Sequence, residues 1–429
     1  MSEQKMHETE EKVQKFVLFA AEGDDAVISA ESSLAELSEL LATAGGETAG
    51  YVIQKRDAVH PKTYLGTGKA EELKNMVATT EADGAICDDE LSPSQLKALT
   101  DLVGVKVLDR TLLILDIFTQ RANTREGKIQ VELAQLNYRL TRLTGLGTEL
   151  SRQGGSTGGA HSRGAGEKKL ELDRRAIRLR IDQLNRELKD VEAQRALLRK
   201  GRENKTTPVV ALVGYTNAGK STLFNRLTSA GVLEENKLFA TLDTTVRAVT
   251  LPSGRDVLLT DTVGFIHKLP HHLVKAFRAT LEEAAFADVL IHVIDNSDPE
   301  STMQAQVTYD TLTELGAGDK PILAVLNKED LRTEESIGCH LGYPARDILH
   351  ISALSEDGPA RVLEALEKLL ASEEEELCIL LPYKEGAMLD QLHRETTVLG
   401  EQYLDEGIGL TLRLGRDSAL RRKLVPYEK

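Results

Sequence analysis

The chain has 429 residues, 41% of them hydrophobic, and a formal net charge of −15. At roughly 100–200 residues per domain, this length predicts two to four domains, each with a core of its own. The negative charge argues against a protein that binds nucleic acid over its whole surface. No apolar run approaches the ~18 residues that a membrane-spanning helix needs, so no membrane span is expected.

The first residues of the chain and its cysteines indicate the compartment in which the protein is expected to act. The first residues, MSEQKMHETEEK, are acidic and polar and contain no apolar segment typical of a secretory signal. Cys87, Cys339 and Cys378 are far apart and form no metal-binding spacing. A sparse, odd set of cysteines indicates reduced thiols. We therefore expect a cytoplasmic protein, and nothing in the sequence requires more than a monomer.

The order of strand-like and helical patterns predicts a multidomain α/β protein. Residues 1–14 are expected to be a disordered tail. Residues 15–119 alternate strand-like runs such as FVLFA and VKVLD with helical runs such as SLAELSELLATA, which predicts an α/β domain with a parallel sheet. Residues 206–372 alternate in the same way. Residues 373–429 predict a small α+β domain that begins with an acidic break at residues 373–376.

Residues 120–205 predict a helical hairpin with a glycine-rich tip. Apolar residues recur at intervals of four and three in two stretches, which is typical of helices packed along a seam. These positions are Ile129, Leu133, Leu136, Leu140 and Leu143 in the first stretch, and Ile177, Ile181, Leu184, Leu188 and Val191 in the second. Residues 145–166 contain eight glycines and are expected to be a mobile connection between the helices.

The hairpin segment is basic although the whole chain is acidic. It holds twenty Lys and Arg against eleven Asp and Glu. This sign split indicates either a module that faces a polyanion or a solvated helical surface that is basic without a ligand. The candidate polyanion contacts are Arg152, Arg163, Lys168, Lys169, Arg174 and Arg175.

A phosphate-binding loop follows the hairpin. The run PVVALVGYTNAGKSTLFNRL places GxxxxGK[ST] between an apolar strand and a helix. Its glycines let successive N–H groups turn toward phosphate oxygens, and the helix N-terminus adds partial positive charge. Lys220 is predicted to bind the β- and γ-phosphates, and Ser221 to ligate Mg²⁺. The expected nucleotide contacts are Gly214, Tyr215, Thr216, Asn217, Ala218, Gly219, Lys220, Ser221 and Thr222.

Two further segments are predicted to sense the γ-phosphate. DVLLTDTVG ends a strand with the nucleotide-binding candidates Asp261, Thr262, Val263 and Gly264. Asp261 is expected to hold Mg²⁺ through water, and the Gly264 N–H to meet the γ-phosphate. In FATLDTTVR, Thr245 is the candidate for both γ-phosphate sensing and metal ligation. The predicted catalytic residues are therefore Lys220, Thr245 and Gly264.

Guanine recognition is predicted from two more strand ends. ILAVLNKED and HISAL place the base contacts Asn327, Lys328, Asp330, Ser352, Ala353 and Leu354. An Asp carboxylate accepts two N–H bonds from guanine that adenine cannot offer.

Together, the phosphate-binding loop, the γ-phosphate-sensing segments and the base-binding segments predict a mostly parallel sheet with helices on both faces, with GTP as substrate. TLPSGRD, residues 250–256, predicts a hairpin and one antiparallel edge strand.

Two residues bear on the mechanism of hydrolysis. Phe265 follows Gly264 where many GTPases carry a Gln that orients water. Because the Phe side chain cannot donate or accept a hydrogen bond, slow hydrolysis is expected until a partner completes the site. Asn217 is either a residue that stabilises the loop or a ligand for K⁺, which would then do the work of an arginine finger.

Over nearly its whole length the chain resembles the HflX family of GTPases, in the translation-factor class. The resemblance is carried by RTLLILDIFTQRANTREGKIQVELAQLNYRL, LSRQGG, LFATLDTTVR, DTVGFIHKLPHHLVKAFRATLEE and LPYKEGAMLDQLHRE. The family usually has LDPTT where this chain has LDTTV, and RGPGETQLE where it has RGAGEKKLE. The resemblance implies a ribosome-associated GTPase that binds the large subunit and its rRNA and splits stalled or idle ribosomes.

Other readings remain open. The chain is alternatively a GTPase switch that acts on a protein effector, or a ribosome-assembly partner that splits no subunits. In the N-terminal domain, the run YLGTGK at residues 64–69 is either a second anion-binding turn or a tight strand–helix connection.

Overall fold

The computed structural model describes residues 13–23, 28–56, 58–153, 160–203, 207–228, 238–239, 245–268, 283–332, 338–415 and 419–428. The chain divides into two compact units. The first contains the residues up to Asn185 and also Lys268. The second contains Arg186–His267 and the described residues from 283 onward.

The first unit is built on a four-stranded parallel sheet. Its strands lie in the order β2-β1-β3-β4. They are β1 (Lys15–Glu22), β2 (Glu47–Lys55), β3 (Gly84–Cys87) and β4 (Lys106–Asp109). The predicted strand-like runs fall in these strands. β3 is buried at every residue, as expected for an inner parallel strand covered on both faces.

Helices follow each strand of this sheet. They are α1 (Ala30–Thr43), α2 (Thr67–Thr80), α3 (Pro93–Val103) and α4 (Arg110–Arg121). Side chains at the first residues define where they start: Ser92 and Gln95 form a capping box on α3, and Asp109 caps α4. α2 begins at Thr67, with Gly66 at the N-cap and no side-chain cap, so the last three residues of the YLGTGK run form the first turn of the helix.

Two long helices, α5 (Arg125–Gln153) and α6 (Ala160–Glu203), form the hairpin that the regular spacing of apolar residues predicted. Arg180 joins them through a two-pronged ion pair with Glu132 at 2.7 and 3.0 Å. The prediction of a mobile connection over residues 145–166 is wrong in extent, because helix continues to Gln153 and resumes at Ala160. A glycine costs a helix only ~1 kcal/mol, which propagation from long flanking turns overcomes.

The second unit contains a six-stranded sheet in the order β10-β9-β8-β5-β7-β6. Its strands are β5 (Val209–Val213), β6 (Thr245–Thr250), β7 (Asp256–Asp261), β8 (Val289–Asp295), β9 (Ile322–Asn327) and β10 (Asp347–His350). Its helices include α7 (Lys220–Thr228), α8 (Ser301–Glu314) and α9 (Gly358–Glu373). All neighbours are parallel except β6 and β7, which confirms the predicted antiparallel edge strand.

The C-terminal part of the second unit is a three-stranded antiparallel sheet, β11-β13-β12. It comprises β11 (Glu374–Leu381), β12 (Thr397–Leu404) and β13 (Gly407–Gly415), with helices α10 (Gly386–Glu395) and α11 (Ala419–Leu424). The expectation of an acidic break at residues 373–376 is wrong. β11 begins at Glu374, directly after α9, and Arg255 and Arg413 pair with its acidic side chains. The predicted multidomain α/β class is confirmed.

Candidate functional site

The phosphate-binding loop lies between β5 and α7, at the carboxyl edge of the six-stranded sheet. Gly214 has a φ of +150°, and a Cβ there would lie 2.1 Å from the Val293 carbonyl oxygen. At Gly219, with a φ of +95°, a Cβ would lie 2.3 Å from Asn327 Nδ2. Both positions therefore require glycine, and the loop can curl tightly in front of the helix N-terminus.

Lys220 lies at the centre of this loop and is 6% exposed. Its Nζ donates to the carbonyl oxygens of Gly214 at 3.0 Å and Tyr215 at 2.7 Å. Burial lowers the pKa of Lys220 to about 8, against the opposing effect of the Asp261 carboxylate. The ammonium is thus held among oxygen acceptors, where an anionic phosphate would bind strongly.

The predicted metal ligands lie together. Ser221 Oγ donates to Asp261 Oδ2 at 3.0 Å, and Asp261 is fully buried at the end of β7. Thr245, the first residue of β6, is directly opposite Asp261 in the antiparallel register. A hydroxyl beside a carboxylate is the hard-oxygen set that Mg²⁺ prefers, so these residues fit a magnesium ion. Beyond them, among the described residues, no group of three or more His, Cys, Asp and Glu is placed to hold a metal.

The segment after Asp261 crosses the phosphate-binding loop. Phe265 donates its N–H to the Gly214 carbonyl at 3.1 Å, and its own carbonyl accepts from the Thr216 N–H at 2.7 Å. A Cβ on Gly264 would lie 2.8 Å from Thr216 Cγ2 and 3.0 Å from Lys220 Nζ. Gly264 is therefore next to the predicted phosphate-binding lysine. The Phe265 side chain is 2% exposed and is part of the packing.

The predicted base-binding loops follow β9 and β10. Asn327 donates from Nδ2 to the Ala218 carbonyl at 2.9 Å, and its Oδ1 accepts from the Ala353 N–H at 2.8 Å. One buried amide thus connects the phosphate-binding loop with both base loops. Asp330 is exposed in the turn Glu329–Leu331, which leaves its carboxylate accessible to a base.

The remaining predicted contacts differ in their surroundings. Thr262 Oγ1 donates to the Leu212 carbonyl at 2.6 Å, and Val263 is buried, so both support the loop. Ser352 Oγ accepts from the N–H of Leu354, whose side chain is exposed. Asn217 is exposed and has a left-handed φ of +61°. Thr222 lies in the first turn of α7.

Sequence reasoning missed residues that hold these loops. Asp295, the last residue of β8, pairs with Lys328 at 2.7 Å. The signal was available, because VLIHVID is an apolar strand ending in an acid, like the strand that ends at Asp261. On the same strand, burial and the nearby Lys220 charge lower the pKa of His292 to about 3, so this histidine is neutral.

Of the predicted rRNA contacts, the structure describes the side chains of Arg174 and Arg175. Arg174 Nη2 donates to the Leu143 carbonyl at 2.6 Å and therefore holds α6 against α5. Arg175 is exposed. The side chains of Arg152, Arg163, Lys168 and Lys169 lie outside the described part of the structure.

Within the described residues, no helix has the length and apolar character needed to cross a bilayer.

A glycine-bounded loop around a buried lysine, a serine–aspartate pair and an asparagine that connects two base loops define a P-loop GTP-binding domain. Comparison with known families supports this class. Residues 209–328 match the family described as 50S ribosome-binding GTPase. Residues 31–119 match GTP-binding GTPase N-terminal, and residues 121–202 match GTP-binding GTPase Middle Region.

The chain belongs to the HflX GTPase family. It is 48% identical over 408 residues to GTPase HflX of Lacrimispora saccharolytica, covering 94% of this chain and 93% of that protein. It is 49% identical over 380 residues to GTPase HflX of Caldanaerobacter subterraneus, covering 89% and 87%. With GTPase HflX of Escherichia coli it shares 41% identity over 404 residues, or 92% of each chain. The predicted family and the predicted GTP hydrolase activity are confirmed.

Proposed function

We propose that this chain is a GTP-driven switch that binds the large ribosomal subunit and splits or rescues stalled or idle ribosomes. One observation carries the proposal: the assembled site around Lys220 lies within the segment that matches a family of 50S ribosome-binding GTPases. We further propose that ribosome contact stimulates hydrolysis, and that the protein acts as a cytoplasmic monomer.

The proposed roles of the site residues follow from their positions. Lys220 and the loop N–H groups bind the phosphates, and Ser221, Thr245 and, through water, Asp261 hold Mg²⁺. The bound ion would neutralise charge between the β- and γ-phosphates. Asn327 keeps the base loops in place, so that the exposed Asp330 carboxylate can accept the guanine N–H groups. Asn217 is exposed at the loop tip, which is compatible with a K⁺ ligand.

Slow intrinsic hydrolysis is part of the proposal. Phe265 occupies the position where a Gln would orient the attacking water, and its side chain is buried. Its backbone bonds to Gly214 and Thr216 keep the segment close to the loop. A partner that reorganises this segment or supplies a polar group there would therefore accelerate the reaction.

The basic hairpin is the proposed rRNA contact. Residues 120–205 hold twenty Lys and Arg against eleven Asp and Glu. Some of these cations are used inside the hairpin, as Arg174 and Arg180 are. Arg175 and Arg178 are exposed on α6, and Arg178 has only a 3.9 Å ion pair with the exposed Glu171, so both are better placed to meet phosphate. Contacts of this kind make binding weaken steeply with salt, because phosphate counterions are released on binding.

The test is GTP hydrolysis with and without purified large ribosomal subunits, at low and moderate salt. We expect a large stimulation that falls as salt rises. The double variant Arg175→Ala, Arg178→Ala should lose stimulation and keep the basal rate. The matched control is Lys62→Ala, Lys97→Ala, which removes two exposed lysines elsewhere in the first unit. Normal GTP binding with no stimulation would refute the ribosome-activated switch.

A protein effector is the second candidate, and one observation favours it. Leu172 and Leu179 are seven residues apart on α6 and are 58% and 60% exposed. Exposed leucines two turns apart form an apolar stripe that suits a partner helix. If Leu172→Ser, Leu179→Ser abolishes activation while the arginine variant does not, the effector is a protein and the rRNA contact is wrong.

A further inference from the structure

The turn Glu329–Leu331 carries the predicted guanine contact, but that contact does not set the position of the turn. Asp330 is exposed, and within the described residues its carboxylate takes part in no hydrogen bond or ion pair. The direction in which this carboxylate points therefore depends on the residues beside it. Glu329, the residue directly before Asp330, supplies the fixed contacts of the turn.

Glu329 is held through both its side chain and its main chain. Its Oε1 accepts from Asn296 Nδ2 at 2.5 Å and from His350 Nδ1 at 2.7 Å. An ionised carboxylate can only accept, so His350 carries a proton on Nδ1. The Glu329 N–H donates to the Ile351 carbonyl at 3.2 Å. The start of the turn is thus fixed at two points, one on each side of the Glu329 Cα.

The Glu329 contacts connect the carboxyl ends of three neighbouring parallel strands. Asn296 directly follows β8, Glu329 is the second residue after β9, and His350 is the last residue of β10. Asn296 is fully buried, and its own N–H donates to the Asn327 carbonyl at 2.9 Å. Glu329 therefore takes its position from the sheet and passes it to the turn.

The surroundings keep Glu329 ionised. Burial alone would raise the pKa of Glu329, but the hydrogen bonds from His350 and Asn296 and the charge of Arg332 bring this pKa below its ordinary value. Arg332 is 3.5 Å away and faces Oε2. The two short bonds thus share the single atom Oε1. A glutamine at this position would keep them, because its side-chain oxygen accepts in the same way.

We propose that Glu329 is a positioning residue for guanine recognition: by joining Asn296 to His350, it fixes the turn so that the Asp330 carboxylate meets the two guanine N–H groups. A hydrogen bond weakens steeply as its angle departs from linearity. A turn that can pivot therefore loses its bonds to the base, whereas the phosphate contacts lie on a different loop and remain. This inference rests on the base-binding role proposed above for Asp330.

The test compares the affinity for GDP with that for inosine diphosphate, which lacks the guanine 2-amino group, in the full-length protein with Mg²⁺. The two ligands share their phosphates and ribose, so a smaller folded fraction or a distorted phosphate-binding loop lowers both affinities equally. The unaltered protein should prefer GDP by about ten- to a hundredfold, because inosine diphosphate makes one hydrogen bond fewer to a charged acceptor.

Glu329→Ala should reduce this preference by about fivefold or more, because the bond to the 2-amino group loses its alignment. Glu329→Gln keeps the acceptor oxygen and should retain the preference within about twofold. The matched control, Glu364→Ala, removes an exposed glutamate on α9 and should leave the preference unchanged. A preference that stays unchanged in Glu329→Ala, or that falls equally in Glu329→Gln, overturns the inference.

A second variant keeps the test independent of folding. The His350 side chain is 54% exposed, and His350→Ala leaves the bond between Asn296 and Glu329 in place. Because one of the two bonds to Oε1 is lost, the preference for GDP should fall by about twofold to threefold. A well-folded His350→Ala protein with an unchanged preference contradicts the proposed link between the strand ends.

Asp330→Asn separates this inference from the base-binding role on which it rests. If Glu329 acts through Asp330, Glu329→Ala should change the preference little once Asp330→Asn is present, because both changes affect one interaction. Additive effects would show that Glu329 acts by another route and would overturn the inference. If Asp330→Asn alone keeps the full preference for GDP, the base-binding role of Asp330 is wrong, whatever the Glu329 variants show.

Discussion

The side-chain amide of Asn327 donates to the main-chain carbonyl of Ala218 at 2.9 Å, although the two residues are 109 positions apart. This bond fixes the end of β9 against the phosphate-binding loop. Because Asn327 is 2% exposed, water cannot replace the donor if it is lost. The geometry of the base loops and that of the phosphate loop are therefore linked through one side chain.

Asn327→Asp should weaken GTP binding by about tenfold or more and lower the thermal unfolding temperature. The carboxylate keeps the shape of the amide but faces the Ala218 carbonyl as a second acceptor, which leaves that buried group unpaired at a cost of about 1–3 kcal/mol. Calorimetric titration with GTP and thermal unfolding would measure the two effects. Asn185→Asp, at an exposed position on α6, is the control and should change neither.

Asp330→Asn should reduce GTP affinity by about ten- to a hundredfold, since hydrogen bonds to a charged acceptor contribute about 1.5–3 kcal/mol. An amide at this position can donate to the oxygen that xanthine carries in place of the guanine amino group. Xanthosine triphosphate should therefore bind the variant better than GTP does. Asp319→Asn, also exposed in the second unit, should keep normal guanine preference. A variant with unchanged preference would remove Asp330 from base recognition.

Nucleotide affinity should fall as pH rises above about 8. Burial lowers the pKa of Lys220 to about 8 in the free protein, whereas bound phosphate favours the ammonium. Above that pH the free protein must take up a proton to bind, so the dissociation constant should rise, approaching tenfold per pH unit. Titrations of GDP between pH 7 and 9 would measure this rise. A dissociation constant that stays flat to pH 9 contradicts the assigned pKa.

Gly264→Ala should slow hydrolysis by about a hundredfold, the scale on which loss of one transition-state donor acts, and leave GDP affinity within about threefold. The added Cβ would lie 2.8 Å from Thr216 Cγ2 and 3.0 Å from Lys220 Nζ, so the segment must move. Gly386→Ala makes the same change where no atom lies within 4 Å. Single-turnover hydrolysis separates the two variants. Equal rates would show that Gly264 has no role in the reaction.

Local sequence patterns were sufficient to predict the strands of the two parallel sheets, the helices that follow them and the phosphate-binding loop. β5, the glycines and Lys220 are adjacent in the chain, and their mutual geometry is set by short-range backbone constraints. The edge hairpin was predictable for the same reason, because Pro252 and Gly254 specify a turn between two strands.

Contacts between segments that are distant in the chain could not be predicted from the sequence. Asp295 and Lys328 are brought together by the pairing of β8 and β9, and Lys268 reaches Asp88 across 180 positions. The partner of Arg174 was not predictable either. Its positive charge suggested a contact with an rRNA phosphate, but its guanidinium donates to the Leu143 carbonyl on α5. The extent of the glycine-rich connection was predicted wrongly because glycine content reflects only a local preference against helix. It carries no information on the length of the helices on either side, which extend into this segment.

The direct continuation of α9 into β11 has a mechanical consequence. No linker residue lies between Glu373, which ends α9, and Glu374, which begins β11. Arg255 donates from Nη1 and Nη2 to the two carboxylate oxygens of Glu374, at 3.0 and 2.6 Å. We therefore expect the C-terminal sheet to follow a tilt of α9. A fluorescent label on the hairpin between β12 and β13 would report such a tilt as a change in distance.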